Sequence, residues 1–117
     1  MIERQARKWF WTPEQLATLR RVLDKACERD EAGCYFGGMD LGGYVEAHGP
    51  KFGLRVDASQ ARNGIHILTY LGGLEIGARG RKNPDSGYKR RYYPEKIQAI
   101  TWEDVNRYRY RLRPRNR

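Results

Sequence analysis

The chain has 117 residues, 39% hydrophobic and 12% aromatic, with 23 Lys/Arg against 14 Asp/Glu for a formal net charge of +9. That length suits one domain around one core, and no apolar run approaches the roughly 20 residues of a membrane-spanning helix. Two cysteines, Cys27 and Cys34, are too few for a disulfide framework, and the leading MIERQARKWFW has no secretory apolar core, so a cytoplasmic protein with reduced thiols is expected.

Residues 1–11 read as an amino-terminal arm, 12–113 as the domain and 114–117 as a loose basic tail. Met1 to Lys8 is polar, whereas Trp9-Phe10-Trp11 is expected to pack onto the domain. A helix over 13–31 follows. Thr12 suits its N-cap, Pro13 its first position, and Gln15 completes a capping box. Trp11 and Leu16 hold the two staple positions. Leu16, Leu19, Leu23 and Ala26/Cys27 form a buried stripe with Val22 at its edge, and Gly33 ends the element.

Cys34 to Gly43 is glycine-rich. Asp40 can cap a short helix over 40–48, with Leu41, Tyr44 and Val45 inward and Gly49-Pro50 as its stop. The glycines can also be read as a phosphate-cradling loop, but neither GxxxxGK[ST] nor GxGxxG is present. Phe52, Leu54 and Val56 alternate with polar neighbours, which predicts a short strand over 51–56.

The stretch from Asp57 to Tyr93 organises the rest. Ala61, Ile65, Leu68 and Leu71 share one helical face, Asp57 or Ser59 can cap its start, and Gly72 can stop it in the left-handed conformation. Gly64 costs such a helix about 1 kcal/mol relative to alanine. Ile65 to Leu71 also fits a strand, with Gly72-Gly73 as a hairpin turn; the polar Gln60-Ala61-Arg62-Asn63 favours the helix. Leu74, Ile76 and Ala78 then alternate as on a strand, Asn83 to Gly87 is dense turn chemistry, and Tyr88 to Tyr93 returns. Helix, stop and basic hairpin in this order resemble the recognition helix and wing of a winged helix-turn-helix DNA-binding domain. The resemblance is one of pattern and implies an α+β, winged-helix-like fold: helices, then a basic β-hairpin, then a carboxy-terminal helix. It also implies a homodimer, with an appended helix as its contact.

Beyond Pro94, Lys96 to Ile100 is apolar enough to pack. Thr101 then caps a helix over 101–113, with Glu103 and Asp104 in its first turn and Trp102, Val105, Tyr108 and Leu112 inward. Arginines alternating with Tyr108, Tyr110 and Leu112 also suit a strand with a cationic face; the cap favours the helix.

The charge is unevenly spread. Residues 79–117 hold 13 Lys/Arg and 4 Asp/Glu, and the two earlier thirds nearly cancel. Charge so concentrated points to a phosphate-bearing partner, DNA or RNA, or to an acidic protein. On the helix, Gln60, Arg62, Asn63 and His66 face away from the apolar stripe; Arg can pair with guanine, and Gln or Asn with adenine. Gly64 there can allow close backbone approach. Arg79, Arg81, Lys82, Lys89, Arg90 and Arg91 on the hairpin, with Arg107, Arg109 and Arg111 on the last helix, would meet phosphates. Tyr88, Tyr92, Tyr93, Tyr108 and Tyr110 beside basic residues also suit base stacking on a single strand, or else the core.

Enzymatic chemistry has little support. Asp57, Glu75 and Lys82 form no compact metal-nuclease motif, Cys27, Cys34, His48 and His66 lack zinc spacing, and no nucleophile pairs with a base. No cofactor or metal is expected. The leading expectation is a duplex-DNA-binding regulator or accessory factor. The alternative is a small phage- or plasmid-type interaction protein whose basic surface inhibits or joins a nucleic-acid-processing enzyme.

Overall fold

A computed structural model of the chain describes residues 11–31, 33–37, 39–75 and 90–112, the last four by backbone alone. Helix α1 (Pro13–Ala26) starts where its cap places it: Thr12 Oγ1 accepts from the Gln15 N–H at 3.1 Å, and Gln15 Oε1 accepts from the Thr12 N–H at 3.0 Å. Leu16, Leu19, Val22 and Leu23 are fully buried. The helix stops at Ala26 and does not run to residue 31. Residues 28–31, Glu-Arg-Asp-Glu, have nothing apolar to extend the stripe. They turn instead into a hairpin, β1 (Glu28–Asp30) against β2 (Gly33–Phe36), which carries Phe36 into the core. Gly33, expected as the helix stop, opens β2.

Strand β3 (Arg90–Tyr92) lies on the other side of β2, giving an antiparallel sheet in the order β1-β2-β3. Leu74 bridges to Tyr92, and the Glu75 N–H donates to the Arg91 carbonyl at 3.0 Å. The base of the expected hairpin is therefore closed. Ile76, Ala78, the 83–87 turn and the rest of 76–89 lie outside the described residues, as do Trp9, Phe10 and the 114–117 tail.

Helix α2 (Leu41–His48) matches expectation. The strand expected over 51–56 is absent; Gly49–Phe52 forms a 3-10 turn. Pro50, with its fixed φ, suits the start of that turn, and the Gly53 and Leu54 N–H groups fold back onto the Pro50 and Gly49 carbonyls at 3.0 and 2.9 Å. Leu54 and Val56 are buried all the same: the apolar alternation reports burial without a strand partner.

Helix α3 (Ala58–Tyr70) resolves the choice at 65–71 in favour of the helix. Asp57 Oδ1 accepts from the Gln60 N–H at 2.8 Å, and Gln60 Oε1 from the Asp57 N–H at 3.0 Å. Ala61, Gly64, Ile65, Ile67 and Leu68 are buried. Gly72 follows at φ 96°, the left-handed stop expected of it. Gly64 serves the core and not a nucleic-acid backbone: a Cβ there would stand 2.5 Å from Trp11 Cζ2 and 2.8 Å from Leu19 Cδ2. The indole of Trp11, itself 1% exposed, occupies that space.

A 3-10 turn over Pro94–Ile97 buries Ile97, and helix α4 (Trp102–Leu112) completes the described chain. Asp104 Oδ2 accepts from the Thr101 N–H at 3.0 Å, and Thr101 Oγ1 from the Asp104 N–H at 3.2 Å. Val105 and Tyr108 are inward as expected, Tyr108 meeting Tyr70 edge-on at 5.4 Å. Trp102, also expected inward, is 49% exposed, because the first turn of α4 is left uncovered. Among the described residues, four α-helices and a small antiparallel sheet make an α+β arrangement whose layout is compatible with a winged-helix-like one. No helix among the described residues is long and apolar enough to cross a membrane.

Candidate nucleic-acid interface

The buried stripe of α3 fixes what the helix shows outward. Arg62 and His66, one turn apart, are exposed, and Asn63 beside them is half-buried. Gln60 is less available than its position suggests, since its side-chain carbonyl is engaged by the Asp57 N–H in the cap. Ser59, offered by the sequence only as an alternative cap, leaves that role to Asp57 and is exposed near Arg62.

The two described hairpin cations part company. Strand side chains alternate between faces, and Arg90 stands opposite Phe36 while Arg91 stands opposite Tyr35. Phe36 and Tyr92 meet on the core face, ring centroids 4.9 Å apart. Arg90 is therefore on the face turned toward α3, and Arg91 is on the other. Arg90 joins Arg62 and His66 around a cleft of about 300 Å³, whose remaining walls include Phe36, Met39, Asp40, Leu41 and Ile65. One concavity thus gathers cationic groups from a helix and a strand.

Some of the charge is met within the chain. Asp40 sits at the N-cap of α2 without capping it, and its carboxylate instead pairs with Arg62 at 3.4 Å. Both side chains are more than half exposed, so the pair is worth at most about 1 kcal/mol and is readily exchanged. Arg107 faces Glu103 at 3.9 Å and Asp104 at 3.5 Å. It is also on α4, which meets α3 at Tyr70, about two turns beyond Arg62. Arg107 is thus not brought to the cleft. Arg79, Arg81, Lys82 and Lys89 lie outside the described residues, as do the side chains of Arg109 and Arg111.

Two tyrosines with basic neighbours go to the core. Tyr92 is 2% exposed, and its hydroxyl donates to an Asp24 carboxylate oxygen and to the Arg20 carbonyl. Burial first, then the Asp24 hydrogen bond and charge, push its phenol far above its ordinary range. Tyr108 is 8% exposed, and burial raises its phenol too. Neither can stack on a base. Tyr93 is half-buried, with the Lys96 ammonium 4.6 Å from its ring centre and its hydroxyl donating to Glu75 at 3.2 Å.

Other chemistry finds no assembled site among the described residues. Asp57 and Glu75 stand beyond opposite ends of α3, whose 13 residues span about 20 Å, too far to share one metal ion. No group of three metal-ligating side chains occurs among those residues. Burial raises the Cys27 thiol above its usual range, against thiolate reactivity. Asp40 and Leu41 were legible as a helix start and their glycine-rich stretch as a candidate phosphate loop, but Met39 had no role there; that the three border the face of α3 depends on how α2 packs, which no local pattern encodes. No family model matches the chain, and no curated protein or solved structure does either.

Proposed function

We propose that the protein binds duplex DNA as a winged-helix-like regulator or accessory factor, with α3 as the helix offered to the major groove. The observation that carries this reading is the convergence of Arg62 and His66 of α3 with Arg90 of β3 on one cleft. The order of α2, α3 and a hairpin closed at Leu74 and Tyr92 agrees with it, as does the excess of cations after residue 78. Arg62 and Asn63 are the base-reading candidates, and Arg90 with the flanking cations neutralises phosphate. The Arg62–Asp40 pair holds the guanidinium at the protein surface until a phosphate or a guanine edge replaces the carboxylate.

Fluorescence anisotropy of labelled duplexes across a salt series tests this. Affinity is expected to fall steeply and linearly in log–log form, by about 10³ or more between 50 and 200 mM salt if six or more phosphates are met. Arg62→Ala is expected to relax discrimination at one base position by about 1–3 kcal/mol. Affinity that is weak and indifferent to salt overturns the reading. A second reading, an interaction protein that engages a nucleic-acid-processing enzyme, draws on one observation: Trp102 is 49% exposed on α4, where the winged-helix reading would instead put a homodimer contact. Light scattering of the wild-type protein and of Trp102→Ala tests self-association through that residue.

A further inference from the structure

A convex helix seated in a major groove has no use for a hollow at its side, yet α3 has one. The floor of the cleft is apolar, built from Phe36, Leu41 and Ile65, with Met39, 42% exposed, at its edge. The polar groups stand around that floor: Arg62 and His66 on the helix side, Arg90 on the strand side, Asp40 at the start of α2. At about 300 Å³ it is at the small end of ligand-binding clefts, suited to one flat ring and its attached phosphate and too small for a base pair. A base has two apolar faces and needs a greasy floor once unstacked; its phosphate needs arginine.

We propose that this cleft accepts one unpaired nucleotide of a nucleic-acid strand, its base against Met39 over the apolar floor and its phosphate between Arg90 and Arg62. The inference rests on the nucleic-acid reading of the same face and narrows it: the preferred substrate is a duplex interrupted by an extrahelical or terminal unpaired nucleotide. Asp40 is the group opposed to an anion here. Arg62 leaves Asp40 for the phosphate, and the carboxylate keeps the cleft less attractive to stray anions. Asp40 accepts no capping hydrogen bond, so Asp40→Asn removes this opposition without cutting into α2.

The test compares three labelled DNAs of one sequence by anisotropy with the full chain: a fully paired duplex, the same duplex with one unpaired nucleotide, and that duplex with an abasic residue in its place. The unpaired nucleotide is expected to bind about tenfold tighter than either of the others, the gain of burying part of one base against an apolar side chain. Met39→Ala is expected to erase that preference, and a preference kept in full by Met39→Ala would overturn the placement of the base. Asp40→Asn is expected to tighten binding by up to about fivefold. Equal affinity for all three DNAs overturns the proposal that the cleft takes a nucleotide of a strand and leaves the groove reading standing; no binding to any of them overturns both. Calorimetry with free dAMP distinguishes the source: dAMP binding without any preference for the unpaired duplex makes the occupant a free nucleotide and overturns the strand assignment.

Discussion

Gly64 shows how one position can be noticed in a sequence and still be misread there. Its cost to the helix was evident, but its use was not, because Trp11 lies far upstream in the chain. Packing determines the outcome of Gly64→Ala. The added methyl gains about 1 kcal/mol of helix propensity, but it would stand 2.5 Å from the indole, and overpacking of that kind costs about 1–3 kcal/mol. Net destabilisation in urea unfolding is expected, with altered Trp emission; a stabilised variant would refute the contact. Tyr92 offers a second check. Its phenol is held above the ordinary value of 10.0 by burial first and by Asp24 next. Below about pH 10 both folded and unfolded forms carry a neutral phenol, so its contribution is complete. Above that pH the unfolded form ionises first, and stability is lost as pH climbs. Tyr92→Phe is expected to cost about 1 kcal/mol at neutral pH and to flatten the alkaline decline in melting temperature. An unchanged decline would mean that the phenol is not shielded.

At the scale of elements, the helices and the return strand at Arg90–Tyr92 were legible, and the β1-β2 hairpin was not. Thr12 with Gln15, Asp57 and Thr101 each announce a helix start by local chemistry; Gln60, read in the sequence as a base-reading side chain, turns out to be the partner of Asp57, and all three caps are reciprocal. Asp57→Ala is accordingly expected to destabilise the fold by about 1 kcal/mol, measured by thermal or urea melting; no change would show that α3 is held by packing alone. Strand β1 is Glu-Arg-Asp, with no apolar alternation to mark it. It is a strand because β2 lies beside it, and β2 lies there because Phe36 reaches the core and β3 pairs with its far edge. Such dependence on distant partners is invisible to a local pattern. The opposite error occurred at Phe52, Leu54 and Val56, where alternation was real but the turn over Gly49–Phe52 and the curl back to the Gly49 carbonyl left no ladder.

For the whole molecule, the relevant quantity is where the charge faces. The sequence placed the excess after residue 78 and pointed to α3 as the reading helix, but it treated Arg90 and Arg91 as equivalent. The pleat separates them. Arg90→Ala is expected to weaken DNA binding across all sequences and to lower the log–log salt slope by about one, whereas Arg91→Ala, on the Tyr35 side of the sheet, leaves the slope unchanged. Equal effects of the two substitutions would show that both faces of the sheet meet the ligand. The acids that temper the basic groups, Asp40 at Arg62 and Glu103 with Asp104 at Arg107, are likewise matters of placement.

Tyr92 joins parts of the chain that are made at very different times. Its backbone is paired with Leu74 and with Cys34, its ring lies on Phe36, and its hydroxyl is anchored to α1 through Asp24 and Arg20. During synthesis, then, the amino-terminal helix and hairpin must wait with Phe36 uncovered until residue 92 has cleared the ribosome exit tunnel. A nascent chain stalled before that residue emerges should be readily cleaved by protease, and one stalled well beyond it should resist.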